Sequence, residues 1–157
     1  MSKTSFQSQK VFDGYSSCFR QWKAEGTHCK FLHGYAVSFK VYFEGELDDK
    51  NWVFDFGGMK RAKSKIEEKT PLEYFSHLLD HTVVVSSDDP YMYLFKDLDA
   101  LGVIRLRVLE GGVGCELFAK HLFEVINKFL FEETEGRVKA TRVTVMEHYK
   151  NSASYVG

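Results

Sequence analysis

Proline is scarce in this 157-residue chain, and its two prolines each follow a capping residue, in Thr70-Pro71 and Asp89-Pro90. No proline-rich or low-complexity stretch and no internal repeat divides the sequence, so residues 1–157 are expected to form one domain. Net charge is −1, from 21 basic and 22 acidic residues. A balance so close to neutral offers nucleic acid or an anionic membrane no electrostatic hold. Cysteine is sparse and odd in number, at positions 18, 29 and 115. That argues against a fully paired disulfide framework and for free thiols in a reducing compartment. The start, Met-Ser-Lys-Thr-Ser, lacks the apolar core of a signal peptide, and no apolar run has the length of a membrane helix. The expected location is the cytoplasm.

Aromatic residues, by contrast, are abundant. They make up 15% of the chain, with 14 phenylalanines, enough for large buried faces or a subunit interface. Residues 33–44 alternate cleanly, with His33, Tyr35, Val37, Phe39, Val41 and Phe43 on one face, as a half-buried strand requires. Trp52 to Phe56 reads as a short return strand and Met59 to Lys69 as a helical run. Thr70-Pro71 opens a helix through Leu72, Phe75 and Leu79. Val83 to Val85 reads as a buried strand, Asp89-Pro90 to Leu101 as a helix, and Val103 to Glu110 as a strand. Residues 115–132 form the strongest amphipathic helix. Val138 to Glu147 is a last long strand, and the tail through Val156 is placed to pair with it. The class is α+β.

Chemistry-bearing residues concentrate in His28-Cys29-Lys30-Phe31-Leu32-His33-Gly34-Tyr35, where a loop enters a strand. Leu79-Asp80-His81, Gly114-Cys115-Glu116 and Glu147 accompany it. Each has a plain structural reading as well. Cys18 on a strand is a small hydrophobe, Tyr35 a core aromatic and His33 a satisfied core histidine. Asp80-His81 would cap a helix end, and Glu116 would complement a helix dipole. The run Lys60-Arg61-Ala62-Lys63-Ser64-Lys65 is a solvated face, or else a contact for a triphosphate tail.

Taken together, these motifs resemble the 6-pyruvoyl-tetrahydropterin synthase and 6-carboxy-tetrahydropterin synthase family, from about Val11 to Tyr155. The resemblance implies a tunnelling fold: an antiparallel sheet with helices on one face, joined into a β-barrel by a homo-oligomer, a trimer or hexamer. It implies a pterin-type substrate, 7,8-dihydroneopterin triphosphate or a relative, and a lyase reaction with loss of triphosphate. Biopterin and 7-deazaguanine (queuosine-type) synthesis both remain open. Cys29, Asp80 and His81 take the catalytic positions, and Glu147 and Glu116 the substrate-binding ones. In the family, zinc is held by a strand-end histidine and by a His-Gly-His pair. Here the corresponding residues are His33, Tyr35 and, counting back from Cys29, Cys18. Two alternatives follow from the altered ligands: a pterin- or purine-binding protein without zinc chemistry, or a metal-free enzyme of the dihydroneopterin aldolase type.

Overall fold

The computed structural model describes residues 4–157; the first three residues of the start read above lie outside it. Six strands form one sheet in the order β4-β3-β1-β2-β5-β6. They are β1 (Phe6–Phe19), β2 (His33–Gly45), β3 (Thr82–Ser86), β4 (Leu106–Leu109), β5 (Val138–His148) and β6 (Asn151–Val156). Three α-helices join them: α1 (Pro71–Leu79), α2 (Met92–Ala100) and α3 (Cys115–Thr134).

The long antiparallel ladder of β1 on β2 runs from Phe6 opposite Gly45 to Phe19 opposite His33. β5 and β6 continue it antiparallel, whereas β3 and β4 run parallel to β1. The sheet is therefore mixed, not wholly antiparallel. A short parallel strand needs a crossover, and α1 and α2 supply the two crossovers here.

β1 does not stand out in the sequence because its alternation breaks. Gln7, Ser8, Gln9 and Lys10 are polar, and a bulge between Phe12 and Tyr15 shifts the register. Gly14 sits in that bulge at φ 84°, which a side chain would strain. Beyond it Tyr15, Ser17 and Phe19 face inward while Cys18 faces the other way.

Helices α1 and α3 cover one face. Phe75, Leu79, Phe118, Leu122, Ile126 and Phe129 bury against Phe12, Phe39, Phe43 and Val143. α1 starts where Thr70-Pro71 predicts, with a full capping box between Thr70 and Glu73. α2 instead places Phe95 on the opposite face, against Val83 and Val85.

The expected strand at Trp52 to Phe56 is absent: Val53 and Phe54 are buried without a ladder. The expected helix from Met59 is a 3-10 turn, Phe56–Lys60. After it Glu67 and Glu68, at φ 48° and 67°, make a tight turn closed by Ile66 on Lys69. Met59, Ala62 and Ile66 stand at helical spacing and are buried, but they reach the core from turns and not from a helix. β4 is likewise shorter than the expected strand from Val103. No helix among the described residues is long and apolar enough to cross a membrane.

Candidate functional site

The loop that follows β1 folds back on the strand end. The Gln21 N–H donates to the Cys29 carbonyl at 2.8 Å. Thr27 caps the 3-10 turn His28–Lys30, its Oγ1 accepting from the Cys29 N–H at 3.2 Å. Cys29 thus sits half-buried at the mouth of the β1–β2 pair. His33 opens β2, exposed, and its Nδ1 donates to the Phe31 carbonyl at 2.7 Å. That bond fixes the tautomer and leaves Nε2 free to accept.

Tyr35 lies two residues further on the same face. Burial first, then the charge of Glu147 and the neighbouring thiols of Cys29, Cys115 and Cys18, push its phenol up to about 12. Glu147 occupies a bulge where the β5–β6 register slips between Met146 and His148, a device that re-aims a side chain. Its Oε1 accepts from Asn151 Nδ2 at 3.0 Å. Cys115 begins α3 behind it. Burial, then Glu147 and Glu116, push this thiol up to about 12, although the Glu147 backbone N–H donates to the sulfur. The loop before α3 is held by Gln21, whose Nε2 donates to the Val113 carbonyl at 3.5 Å. Gln21 also packs where a Cβ on Gly114 would stand. Glu116, in the first turn of α3, points to solvent.

One end of the sheet therefore gathers Cys29, His33, Tyr35, Cys115 and Glu147. Asp80 and His81 lie elsewhere. Asp80 Oδ1 accepts from the Ser16 N–H at 3.0 Å, and the His81 N–H donates to the Ser16 carbonyl at 2.6 Å. His81 Nδ1 stands 3.1 Å from Asp80 Oδ1. The Ser16 N–H above all, then His81, hold the Asp80 carboxyl below its usual range. His81 pairs with Ser16 and His33 with Phe19, on opposite sides of β1. Strand geometry then separates the two histidine backbones by about 10 Å along the strands and about 10 Å across them. Ser16 and Tyr35 nonetheless line one open groove of about 620 Å³, with Tyr15, Gly34 and Ser38.

Cys18 does not join His33 and Tyr35. It packs with Val83, Val85 and Phe95 on the opposite face, and burial pushes its thiol up. The residue that ends β1 and faces His33 is Phe19. Counting back from Cys29 lands on Cys18, one residue short of Phe19, and one residue in a strand is the other face. Period-two spacing from Tyr15 through Ser17 would have found it.

A family model of 6-pyruvoyl tetrahydropterin synthase matches residues 8–157. The chain belongs to the 6-pyruvoyl tetrahydropterin synthase family. A similar solved structure, an uncharacterised protein of Wolinella succinogenes, is 20% identical, with 99% of each chain covered and a TM-score of 0.78. The Caenorhabditis elegans 6-pyruvoyl tetrahydropterin synthase is 18% identical over 98% of this chain and 96% of that one, at a TM-score of 0.62. The Plasmodium falciparum enzyme is 12% identical over 95% and 96%, also at 0.62. At these identities the likeness is one of fold. No curated protein sequence matches the chain.

A catalytic zinc takes three protein donors from histidine, cysteine or carboxylate and leaves a fourth position open. Among the described residues no three such side chains converge on a point. Phe19 offers no donor, Cys18 is turned away and Tyr35 is a protonated phenol. The residues present do not fit the zinc that the family resemblance implies.

Proposed function

We propose that this family member is a pterin-processing lyase. Its substrate would be 7,8-dihydroneopterin triphosphate or a close relative, and it would release triphosphate. The observation that carries this reading is the gathering of Glu147, Tyr35 and Cys29 at one sheet end. A pterin presents a ring N–H beside an exocyclic amino group, and an ionised Glu147 accepts from both, a strong and geometrically selective contact. The bulge aims that carboxylate, and the Asn151 amide steadies it. Cys29 as thiolate removes a side-chain proton. The Asp80–His81 pair returns one.

Within one chain that pair is too far from Cys29 to serve the same carbon. The homo-oligomer, a trimer or hexamer, supplies it from a second copy. A second reading is a metal-free enzyme or a pterin- or purine-binding protein, and it is favoured by Phe19 and Tyr35, whose rings stand beside His33 where zinc would need donors.

Two measurements test the proposal. Titration with 7,8-dihydroneopterin, followed by pterin fluorescence, should show binding that Glu147→Gln weakens on the order of tenfold to a hundredfold, the loss of a charged bidentate contact. Unchanged affinity in the variant sinks the role of Glu147. Triphosphate release from 7,8-dihydroneopterin triphosphate should vanish in Cys29→Ala and in His81→Ala, and return in part when the two variants are mixed. Binding without turnover selects the binding protein. Turnover of dihydroneopterin itself selects the aldolase type.

A further inference from the structure

Two positions where the family resemblance places zinc ligands, His33 and Tyr35, come together in this chain with a third residue, Phe19, and all three hold rings. Phe19 and His33 are register partners across β1 and β2, and Tyr35 follows His33 by two. Facing residues of an antiparallel pair have Cβ atoms about 5 Å apart and diagonal ones about 7 Å, so side chains at these positions converge on one point. Phe19 stacks on Tyr35 with ring centroids 4.1 Å apart and planes 11° from parallel. His33 lies 4.4 Å from Tyr35, tilted by 37°. Phe118 of α3 closes the inner end, edge-on to Phe19 at 4.9 Å.

Phe19 is only 1% exposed, so the stack is anchored in the core and cannot swing away to admit an ion. Aromatic pairs in this geometry add about 0.5–1.5 kcal/mol each beyond the area they bury. Cys18, the soft donor next to Phe19 in the sequence, is committed to the opposite face by the strand period.

We infer that this chain works without the divalent metal that its family resemblance implies, and that Phe19 and Tyr35 are the residues that keep the metal out. The outer ring of the stack is His33. Its Nδ1 is committed to the Phe31 carbonyl, so Nε2 is the ring nitrogen left for a ligand. A substrate hydroxyl meets an imidazole there, not a Lewis acid. The inference concerns the ion and not the organic ligand, so it stands or falls separately from the pterin reading.

The test is metal uptake by the full chain. Wild-type protein is equilibrated with zinc, and in parallel with cobalt(II), then desalted and assayed for metal and for the visible absorption of tetrahedral cobalt. The expected result is no metal above background and no cobalt band. The Phe19→His/Tyr35→His double variant, which with the native His33 presents three imidazoles on one face, should retain about one ion per chain and show the band. About one zinc per wild-type chain, lost in His33→Ala, would overturn the inference. A folded double variant, checked by circular dichroism, that takes up no metal would overturn the role given to Phe19 and Tyr35. The wild-type measurement decides the first point even where the double variant does not fold.

Discussion

Tyr74 and His121 show how one part-buried residue pair links acidity to stability. The Tyr74 hydroxyl and His121 Nε2 lie 2.6 Å apart between α1 and α3. Burial above all pushes the His121 imidazole below its usual range, outweighing the opposing charges of Glu67 and Glu124. The folded state therefore binds a proton less readily than the unfolded chain does. Stability from this group is complete above the unfolded histidine value of about 6.5 and is lost as pH falls through and below it. His77, also pushed down by burial and by Arg107, acts in the same direction. Urea midpoints measured between about pH 7.5 and pH 5 should fall on acidification, and His121→Gln should flatten the fall. An equally steep fall in the variant would remove His121 as a cause.

Residue identities were also where the sequence was most and least legible. Cys29, His33 and Glu147 sit at one sheet end, as the motif pattern suggested. Phe19 was invisible as a site residue because a phenylalanine has no chemistry to notice. Beyond the bulge at Gly14, the period-two run from Tyr15 through Ser17 sets Phe19 and not Cys18 opposite His33.

At the scale of elements, the turn that bears Cys29 is hung from a buried ion pair. Asp89 receives Arg20 Nε at 2.8 Å and Nη2 at 2.6 Å, and its side chain is 1% exposed. It also accepts from the Tyr91 N–H at 2.9 Å. Arg20 lies over the Tyr91 ring and reaches the Lys30 carbonyl at 3.5 Å. The start of α2 is thereby tied to the end of β1 and to the turn His28–Lys30. Asp89→Ala would leave the guanidinium largely buried and uncompensated, a loss on the order of 3–5 kcal/mol. Asp89→Asn keeps an acceptor and should cost less. The expected outcome is a lower urea midpoint together with faster amide exchange across residues 20–32. Exchange raised evenly over the whole chain would mean a general loss of stability and no particular hold on the Cys29 turn.

The helix with the start signal Thr70-Pro71 was readable from local chemistry, and α3 from its amphipathic period. The segment from Trp52 to Lys69 was not. Its apolar residues are buried by tertiary packing without repeating backbone, and Glu67-Glu68 turns the chain in the left-handed region that neither residue advertises.

For the whole molecule, the class and the order of elements from α1 onward were legible because long alternating strands and one long amphipathic helix dominate the chain. The parallel placement of β3 and β4 was not, since direction in a sheet depends on crossovers that no local pattern encodes. The sheet ends in two open edges, β4 and β6, and the proposed homo-oligomer gives them a use. The Gly157 N–H donates inward to the Thr141 carbonyl at 3.1 Å. By the alternation of an antiparallel ladder, the Val156 N–H then points outward from the edge. Val156 is 69% exposed, so proline there would leave the β5–β6 pairing intact while removing an edge donor. If copies join edge to edge through β6, the wild-type chain should run as a trimer or hexamer in size-exclusion chromatography with light scattering. Val156→Pro should shift it toward the monomer with its circular dichroism unchanged. Because the Asp80–His81 pair must then come from a neighbouring copy, the same variant should lose triphosphate release in parallel with assembly. A wild-type chain that is monomeric at every concentration, or a monomeric variant that keeps full turnover, would place the whole reaction within one subunit and contradict the two-copy site.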